Sequence, residues 1–198
     1  MNETLNYYAD HAQEFLTSTL RADMSAAYAR VLPLIPAGAA ILDLGCGSGR
    51  DSLAFKKLGY QVTAADGSRE LAQAAQQLLG QAVLCAEYKA LELPPQHYDL
   101  IWACASLVHV PLKELPQLLT KLKESLKPSG LWYMSFKYGD FEGLRGGRYY
   151  TDLPEARLRE VIRQVPGLVV KETWVSEDVR ANVTGKWLSG IVEKEAIS

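Results

Sequence analysis

The sequence predicts an α/β domain in which a parallel sheet is covered by helices on both faces. Three observations predict it. Short apolar runs alternate with helical patterns from residue 39 to residue 137, as strand–helix–strand units do. One junction, Ile41-Leu-Asp-Leu-Gly-Cys-Gly-Ser-Gly-Arg50, sets an apolar strand, three alternating glycines and a helix in succession. The chain has 198 residues, 48% of them apolar, which suits one domain with a full core.

The elements follow in order. Glu3 to Leu34 has helical spacing, with Leu5, Tyr8, Ala12, Phe15 and Leu16, then Met24, Ala27, Tyr28 and Val31, on repeating faces. Pro33 and Pro36 end this region. Strands are expected at 39–44, 60–65, 81–85, 98–104 and 130–137, with helices at 50–58, 68–79 and 112–126. Leu93-Pro-Pro-Gln-His97 is a surface loop on its prolines, with His97 facing solvent. Tyr138 to Tyr150 carries Gly139, Gly143, Gly146 and Gly147 without an apolar period. It reads as a mobile loop at the end of the fifth strand. A helix over 155–164 and strands over 168–176 and 184–192 complete the chain, the strands on their Val and Trp content. Residues 1–36 thus form a helical unit and 37–198 the sheet-bearing core of a single domain.

Composition excludes several classes. A net charge of −2 and a pI near 6.0 give no global attraction to nucleic acid. No apolar tract is long enough to span a bilayer. The opening Met-Asn-Glu-Thr-Leu-Asn-Tyr-Tyr lacks the basic and apolar regions of a secretory signal. Cys46, Cys85 and Cys104 are odd in number and lie in or beside apolar strands. They read as buried free thiols in a reducing cytoplasm. No clustered Cys/His spacing points to a metal.

The glycine junction carries the chemistry. Glycines let the backbone approach a ligand and take positive φ. Free N–H groups of the turn and the first helical turn then face the ligand's oxygens. The dinucleotide pattern G-x-G-x-x-G fails, because from Gly45 its third glycine falls on Arg50 and from Gly47 on Ser52. No Gly-Lys-Ser/Thr of a P-loop occurs. The second strand ends in Asp66, about 20 residues past the first glycine, the reach needed for ribose hydroxyls.

On these residues the chain resembles the class I S-adenosylmethionine-dependent methyltransferases. Asp43 to Gly49 matches the family's first motif and Asp66 its second-strand acid. Tyr98 to Val110 resembles the fourth strand and its turn, and Leu126 to Ser135 the helix end and fifth strand. Within the family it is most similar to small bacterial stand-alone proteins of the tellurite-resistance type. The resemblance implies a Rossmann-like, doubly wound, mixed seven-stranded sheet with an N-terminal helical lid. It implies S-adenosyl-L-methionine as cofactor and S-adenosyl-L-homocysteine as product. The cofactor would be bound by Tyr8, Asp43, Gly45, Cys46, Gly47, Gly49, Arg50, Asp66, Gly67, Ser68, Glu87, Tyr88, Cys104 and Ala105.

Each residue has a plainer role beside this one. Asp43, buried, must hydrogen-bond turn amides or the cofactor's ammonium. Asp66 holds ribose, caps the turn, or does both, with Ser68 as a helix cap. Glu87 grips the adenine amine or faces water. Cys104 touches the methionine portion or is core. Arg50 at a helix N-terminus opposes the dipole and so calls for an anionic partner, a nearby acid or the cofactor carboxylate. His109, just past the fourth strand, is the leading general base on its near-neutral titration, against a turn-packing role. Tyr7 is the second catalytic candidate. Tyr7, Tyr8 and His11 wall the pocket if the first helix is a lid. Lys137, Arg145 and Arg148 recognise an anionic acceptor or are solvated.

The expected function is methyl transfer to a small molecule by in-line displacement, in a monomer or homodimer without DNA or membrane partners. No Asn/Asp-Pro-Pro-Tyr/Phe motif and no Pro-Cys nucleophile of DNA-methylating enzymes appears. An RNA-modifying enzyme is the second reading, and a non-catalytic cofactor-binding regulator the third.

Overall fold

The structure, a computed structural model, describes residues 2–180 and 183–196. Residues 1, 181, 182, 197 and 198 of the expected lid and core lie outside the described residues. Seven strands form one sheet: β1 (Ala40–Leu44), β2 (Gln61–Asp66), β3 (Leu84–Cys85), β4 (Tyr98–Ala103), β5 (Leu126–Lys137), β8 (Leu168–Glu177) and β9 (Lys186–Lys194). Their order is β3-β2-β1-β4-β5-β9-β8. β1 to β5 pair in parallel, whereas β9 runs antiparallel to both β5 and β8. The expected mixed seven-stranded Rossmann-like sheet is present, and the N-terminal helices roof it.

Both faces of the sheet are buried at β1, β4 and the second half of β5, so those strands read as nearly continuous apolar runs. Along β1 and β4 successive side chains enter opposite cores. Ile41, Leu100 and Trp102 join Phe55 and Val31 on one face. Leu42, Leu44, Ile101 and Ala103 join Leu119, Leu158 and Trp132 on the other. The first face is covered by α3 (Ser25–Val31) and α4 (Arg50–Lys57), the second by α6 (Leu115–Leu122) and α7 (Glu155–Arg163). Between β2 and β3 runs α5 (Arg69–Leu79), capped by Ser68, whose hydroxyl accepts from Leu71 N, and stopped by Gly80 at φ +62°.

Chain order reverses between β1 and β4, which are neighbours although β2 and β3 intervene in sequence. The carboxyl ends of those strands open a crevice there, the usual ligand site of such sheets.

Several elements depart from the sequence expectation. The N-terminal helical region is broken into α1 (Asn2–Asp10), α2 (Ala12–Thr19) and α3, ending in a 3-10 turn at Leu32–Leu34. The helix expected over 112–126 is α-helical only at Leu115–Leu122, with 3-10 turns on either side. The third strand shrinks to two exposed residues, so Cys85 is a surface thiol and not a buried one. Residues 138–150 are not an irregular loop. They hold most of a hairpin, β6 (Glu142–Arg145) and β7 (Arg148–Thr151). Its two-residue turn is Gly146-Gly147, at φ +57° and +77°, the conformation that tight hairpins require. No described helix is long and apolar enough to cross a membrane.

Candidate active site

The glycine turn sits at the carboxyl end of β1. Gly45, Gly47 and Gly49 have φ of +75°, +53° and +76°, a region that side chains with a Cβ rarely enter. Gly45 N and Cys46 N both donate to Ala65 O, at 2.8 and 2.9 Å, which folds the turn back over β2. A Cβ on Gly45 would lie 2.4 Å from Ser106 Cβ. The turn and the loop after β4 therefore meet only because that position is glycine.

Asp66 closes this wall from the end of β2. Its two carboxylate oxygens accept from Gly47 N and Ser68 N, both at 2.8 Å. Burial raises its pKa, and the two amide donors hold it back. A carboxylate has about four lone-pair sites, so two bonds leave capacity for a diol. Asp43 is spent differently. It is 2% exposed, and its Oδ2 accepts from Ser52 N at 3.1 Å and Ser52 Oγ at 2.6 Å. It pins α4 to β1 and does not line the cleft. Burial first, and Asp51 second, push its pKa up to about 7.

Arg50 finds the nearby acid. Its Nε and Nη2 donate to Asp51 at 2.6 and 2.9 Å. Asp51 also accepts from Tyr28 Oη at 2.5 Å and Trp102 Nε1 at 2.8 Å. Four donors thus hold one buried carboxylate under the cleft, ordering the stacked Trp102 and Tyr133 rings beneath it.

The opposite wall begins where β4 ends. Ala105 takes φ +52°, and its N–H donates to Ser135 Oγ at 2.8 Å. Such a conformation costs about 1–3 kcal/mol and is kept where the surroundings enforce it. Ser106 Oγ is buried without a partner and faces the cleft. His109 follows on a 3-10 turn and is 9% exposed. Its Nδ1 lies 2.7 Å from Tyr149 O, and its Nε2 lies 2.9 Å from Tyr8 Oη. A carbonyl only accepts, so Nδ1 carries the hydrogen and Nε2 accepts from the Tyr8 hydroxyl. Burial pushes the His109 pKa down to about 4 and the Tyr8 pKa up to about 12. The near-neutral titration expected of His109 is thus corrected: it stays a neutral acceptor throughout the physiological range.

The lid is latched to the hairpin. Tyr149 N donates to Thr4 Oγ1 at 2.9 Å, and the Arg148 guanidinium lies 4.5 Å from the Tyr7 ring centroid. Phe15 of α2 packs on Gly47. Together these walls enclose a cleft of about 200 Å³.

Of the sequence-predicted residues, Tyr8, Gly45, Cys46, Gly47, Arg50, Asp66, Gly67, Glu87, Tyr88, Cys104, Ala105 and His109 line one cleft. Asp43, Gly49 and Ser68 do not, acting from behind through Ser52, Ala75 and Asp66. Tyr7 is also outside, contrary to its candidacy as a catalytic group. It stacks on His11 at 4.2 Å and packs against Gly147 and Arg148, between α1 and the hairpin. Glu87 is half-buried, not solvent-facing, while His97 is exposed as expected. The 106–110 turn and the 138–150 segment, expected from the sequence to form the acceptor pocket, contribute Ser106, His109, Arg148 and Tyr150 to the cleft. Sequence reasoning missed Asp178, Arg180 and Trp187, which had no local signal and arrive because β9 pairs with β5, setting Trp187 beside Lys137.

The fold and the cleft at its switch point define a class I S-adenosylmethionine-dependent methyltransferase fold. Residues 41–130 match the family model described as a methyltransferase domain. A malonyl-[acyl-carrier protein] O-methyltransferase of Pseudescherichia vulneris is 36% identical over 93 residues, 46% of this chain and 36% of that protein. The chain spans less than half the length of the curated relatives it matches. Among solved structures, a Burkholderia thailandensis 1,6-didemethyltoxoflavin-N1-methyltransferase, with its acceptor and S-adenosylhomocysteine bound, has a TM-score of 0.72. It is 23% identical, covering 96% of this chain and 89% of that one. A SAM-dependent methyltransferase of Methanosarcina mazei has a TM-score of 0.73 at 18% identity, covering 86% and 99%.

Proposed function

We propose that the protein transfers a methyl group from S-adenosylmethionine to a small-molecule acceptor. The observation that carries this reading is the shared cleft. The glycine turn and Asp66 form one wall, and Tyr8 with His109 forms the other. When bound, the cofactor supplies a methyl already activated on a sulfonium, with a neutral leaving group. The chain's residues have three tasks.

The first is binding. Gly45, Cys46, Gly47 and Gly67 offer close backbone approach, Asp66 takes the ribose hydroxyls, and Glu87 and Tyr88 face the base. Cys104, Ala105 and Ser106 border the methionine portion, with Arg50 beside them. Ser106 Oγ, buried and unpaired, fits as a donor to the bound group. The second task is excluding water, done by α1, α2 and the hairpin. The third is orienting the acceptor and taking its proton. His109 Nε2 is held as an acceptor by Tyr149 O, and an acceptor O–H or N–H reaches it by displacing the Tyr8 hydroxyl.

The closed lid favours a small acceptor over RNA, because a polymer would need α1 lifted from Tyr149. The relatives' names span O- and N-methylation, so the methylated atom is not chosen by likeness. The finer tellurite-resistance-type reading adds selenium and tellurium compounds to the acceptors worth assaying, alongside thiols, phenols, amines and tRNA. A cytoplasmic setting and a monomeric or homodimeric state belong to the same proposal. Calorimetry tests the core of it: S-adenosylhomocysteine binds at micromolar strength and NAD far more weakly. Equal or preferred binding of NAD would end this reading.

A further inference from the structure

Among the described residues, four cations line the cleft: Arg50, Lys137, Arg148 and Arg180. Three are ion-paired. Arg50 is clamped by Asp51, and Lys137 and Arg180 share Asp178 at 3.0 and 2.6 Å. Arg148 differs. It makes no ion pair among the described residues; burial is the largest influence on its charge, and the Tyr8 hydroxyl, within hydrogen-bonding reach of the guanidinium, comes next, with Tyr150 and Tyr7. Its guanidinium lies 4.5, 5.3 and 5.7 Å from the rings of Tyr7, Tyr150 and Tyr8. Its Nε is buried without a hydrogen-bond partner. A buried donor left unpaired calls for an explanation. A guanidinium fork matches a planar carboxylate with two parallel bonds.

Place in the fold says which ligand this serves. Arg148 is on β7, one residue before the carbonyl that orients His109. The glycine turn has its own cation in Arg50. Tyr8 and Tyr150 flank Arg148, and Tyr133 and Trp187 line the same cleft, flat surfaces suited to an aromatic ring. We infer that the acceptor is a small aromatic acid whose carboxylate is held by Arg148 while its methylated atom faces Tyr8 and His109. This rests on the methyltransferase reading above.

The test titrates benzoate and its neutral isostere benzamide into protein saturated with S-adenosylhomocysteine. Wild type, Arg148→Gln and Arg148→Lys are compared by calorimetry. Wild type binds benzoate at least about tenfold tighter than benzamide, as a charge-assisted pair implies. Arg148→Gln erases that preference, and Arg148→Lys keeps part of it. All three bind S-adenosylhomocysteine within about twofold of one another. A structural role for Arg148 would weaken both probes alike and leave their ratio unchanged. Equal binding of the two probes by wild type, no benzoate binding, or a preference that survives in Arg148→Gln overturns the proposal. Lost S-adenosylhomocysteine affinity in Arg148→Gln assigns Arg148 to the cofactor's carboxylate and also overturns it, with the methyltransferase reading intact. Failure of wild type to bind S-adenosylhomocysteine overturns both. If melting shows Arg148→Gln unfolded, Arg148→Lys decides, a reduced preference supporting the assignment and an undiminished one overturning it.

Discussion

Gly47 and Asp66, bonded across the first wall of the cleft, are 19 residues apart, whereas Tyr8 and His109, bonded across the second, are 101 apart. The latch from Tyr149 to Thr4 spans 145. The first wall is made of backbone: glycine torsions, amides aimed by a turn, one acid at a strand end. It is an outgrowth of adjacent parallel strands and shares their rigidity. The second wall is made of side chains delivered by a terminal helix, a hairpin and a loop. The loop is anchored in the core by Leu107 and Val110, whereas α1 is tied to the hairpin by bonds such as Thr4 to Tyr149 and should open at lower free energy than the sheet. On the methyltransferase reading, the difference separates the constant part of the reaction from the variable part. A fold can keep the first wall and change acceptors by altering the second.

The largest expected effect lies on the second wall and is read as stability. His109 is held neutral with its pKa near 4, against about 6.5 in an unfolded chain. Between those values the unfolded state takes up a proton that the folded site refuses. Stability from this site is therefore complete above pH 6.5 and is lost as pH falls toward 4. Over that window the loss is about 3 kcal/mol. Asp43, raised to about 7, acts with the opposite sign over much of the same range, so wild type alone would blur the effect. The difference between wild type and His109→Gln isolates it. Denaturant melts from pH 4 to 8 should show wild type gaining on the variant up to about 6.5 and then running level. A constant difference across that range would mean the fold leaves the His109 titration unshifted, so that the second wall carries a charge below about pH 6.5.

The next effect lies on the first wall. Asp66→Ala removes the acid and leaves the Gly47 and Ser68 amides without their acceptor. Affinity for S-adenosylhomocysteine should fall about ten- to a hundredfold, the equivalent of about 1.5–3 kcal/mol for a charge-assisted pair. The fold should persist, because the site is at a strand end. A folded Asp66→Ala protein with normal affinity would make Asp66 a turn cap only, and the first wall would owe its binding to glycine geometry alone.

The contrast between walls also explains what the sequence made legible. Strand–glycine–helix order, Asp66 and the His109 position could be read because each depends on near neighbours. The hairpin was hidden because Gly146-Gly147 looked like looseness, when two positive-φ residues between Leu144 and Tyr149 are what a tight turn needs. Asp43 was misplaced toward the ligand because its partner Ser52 is a small polar residue on the next helix, with no motif to mark it. The titration of His109 was misjudged because burial, which sets it, belongs to tertiary packing. Tyr7 and Tyr8, adjacent in sequence, diverge because neighbouring positions on a helix point in different directions. Only Tyr8 faces the cleft.

The smallest effect places Tyr8 on one wall or the other. Tyr8→Phe removes the hydroxyl that donates to His109 Nε2 and keeps the ring, with its edge contacts to Phe15 and His109. The His109 tautomer should survive, because Tyr149 O still fixes hydrogen on Nδ1. Nε2 is then left for the acceptor to reach directly. Once an acceptor is in hand, the methyl-transfer rate should fall about five- to tenfold, the scale of one neutral hydrogen bond at about 1 kcal/mol. S-adenosylhomocysteine affinity should stay within about twofold. A loss of a hundredfold or more in rate would make the Tyr8 hydroxyl a proton relay in front of His109. A parallel loss of cofactor affinity would move Tyr8 to the first wall. The terminal helix would then serve the constant half of the reaction, and the division between the two walls would fail at the residue that bridges them.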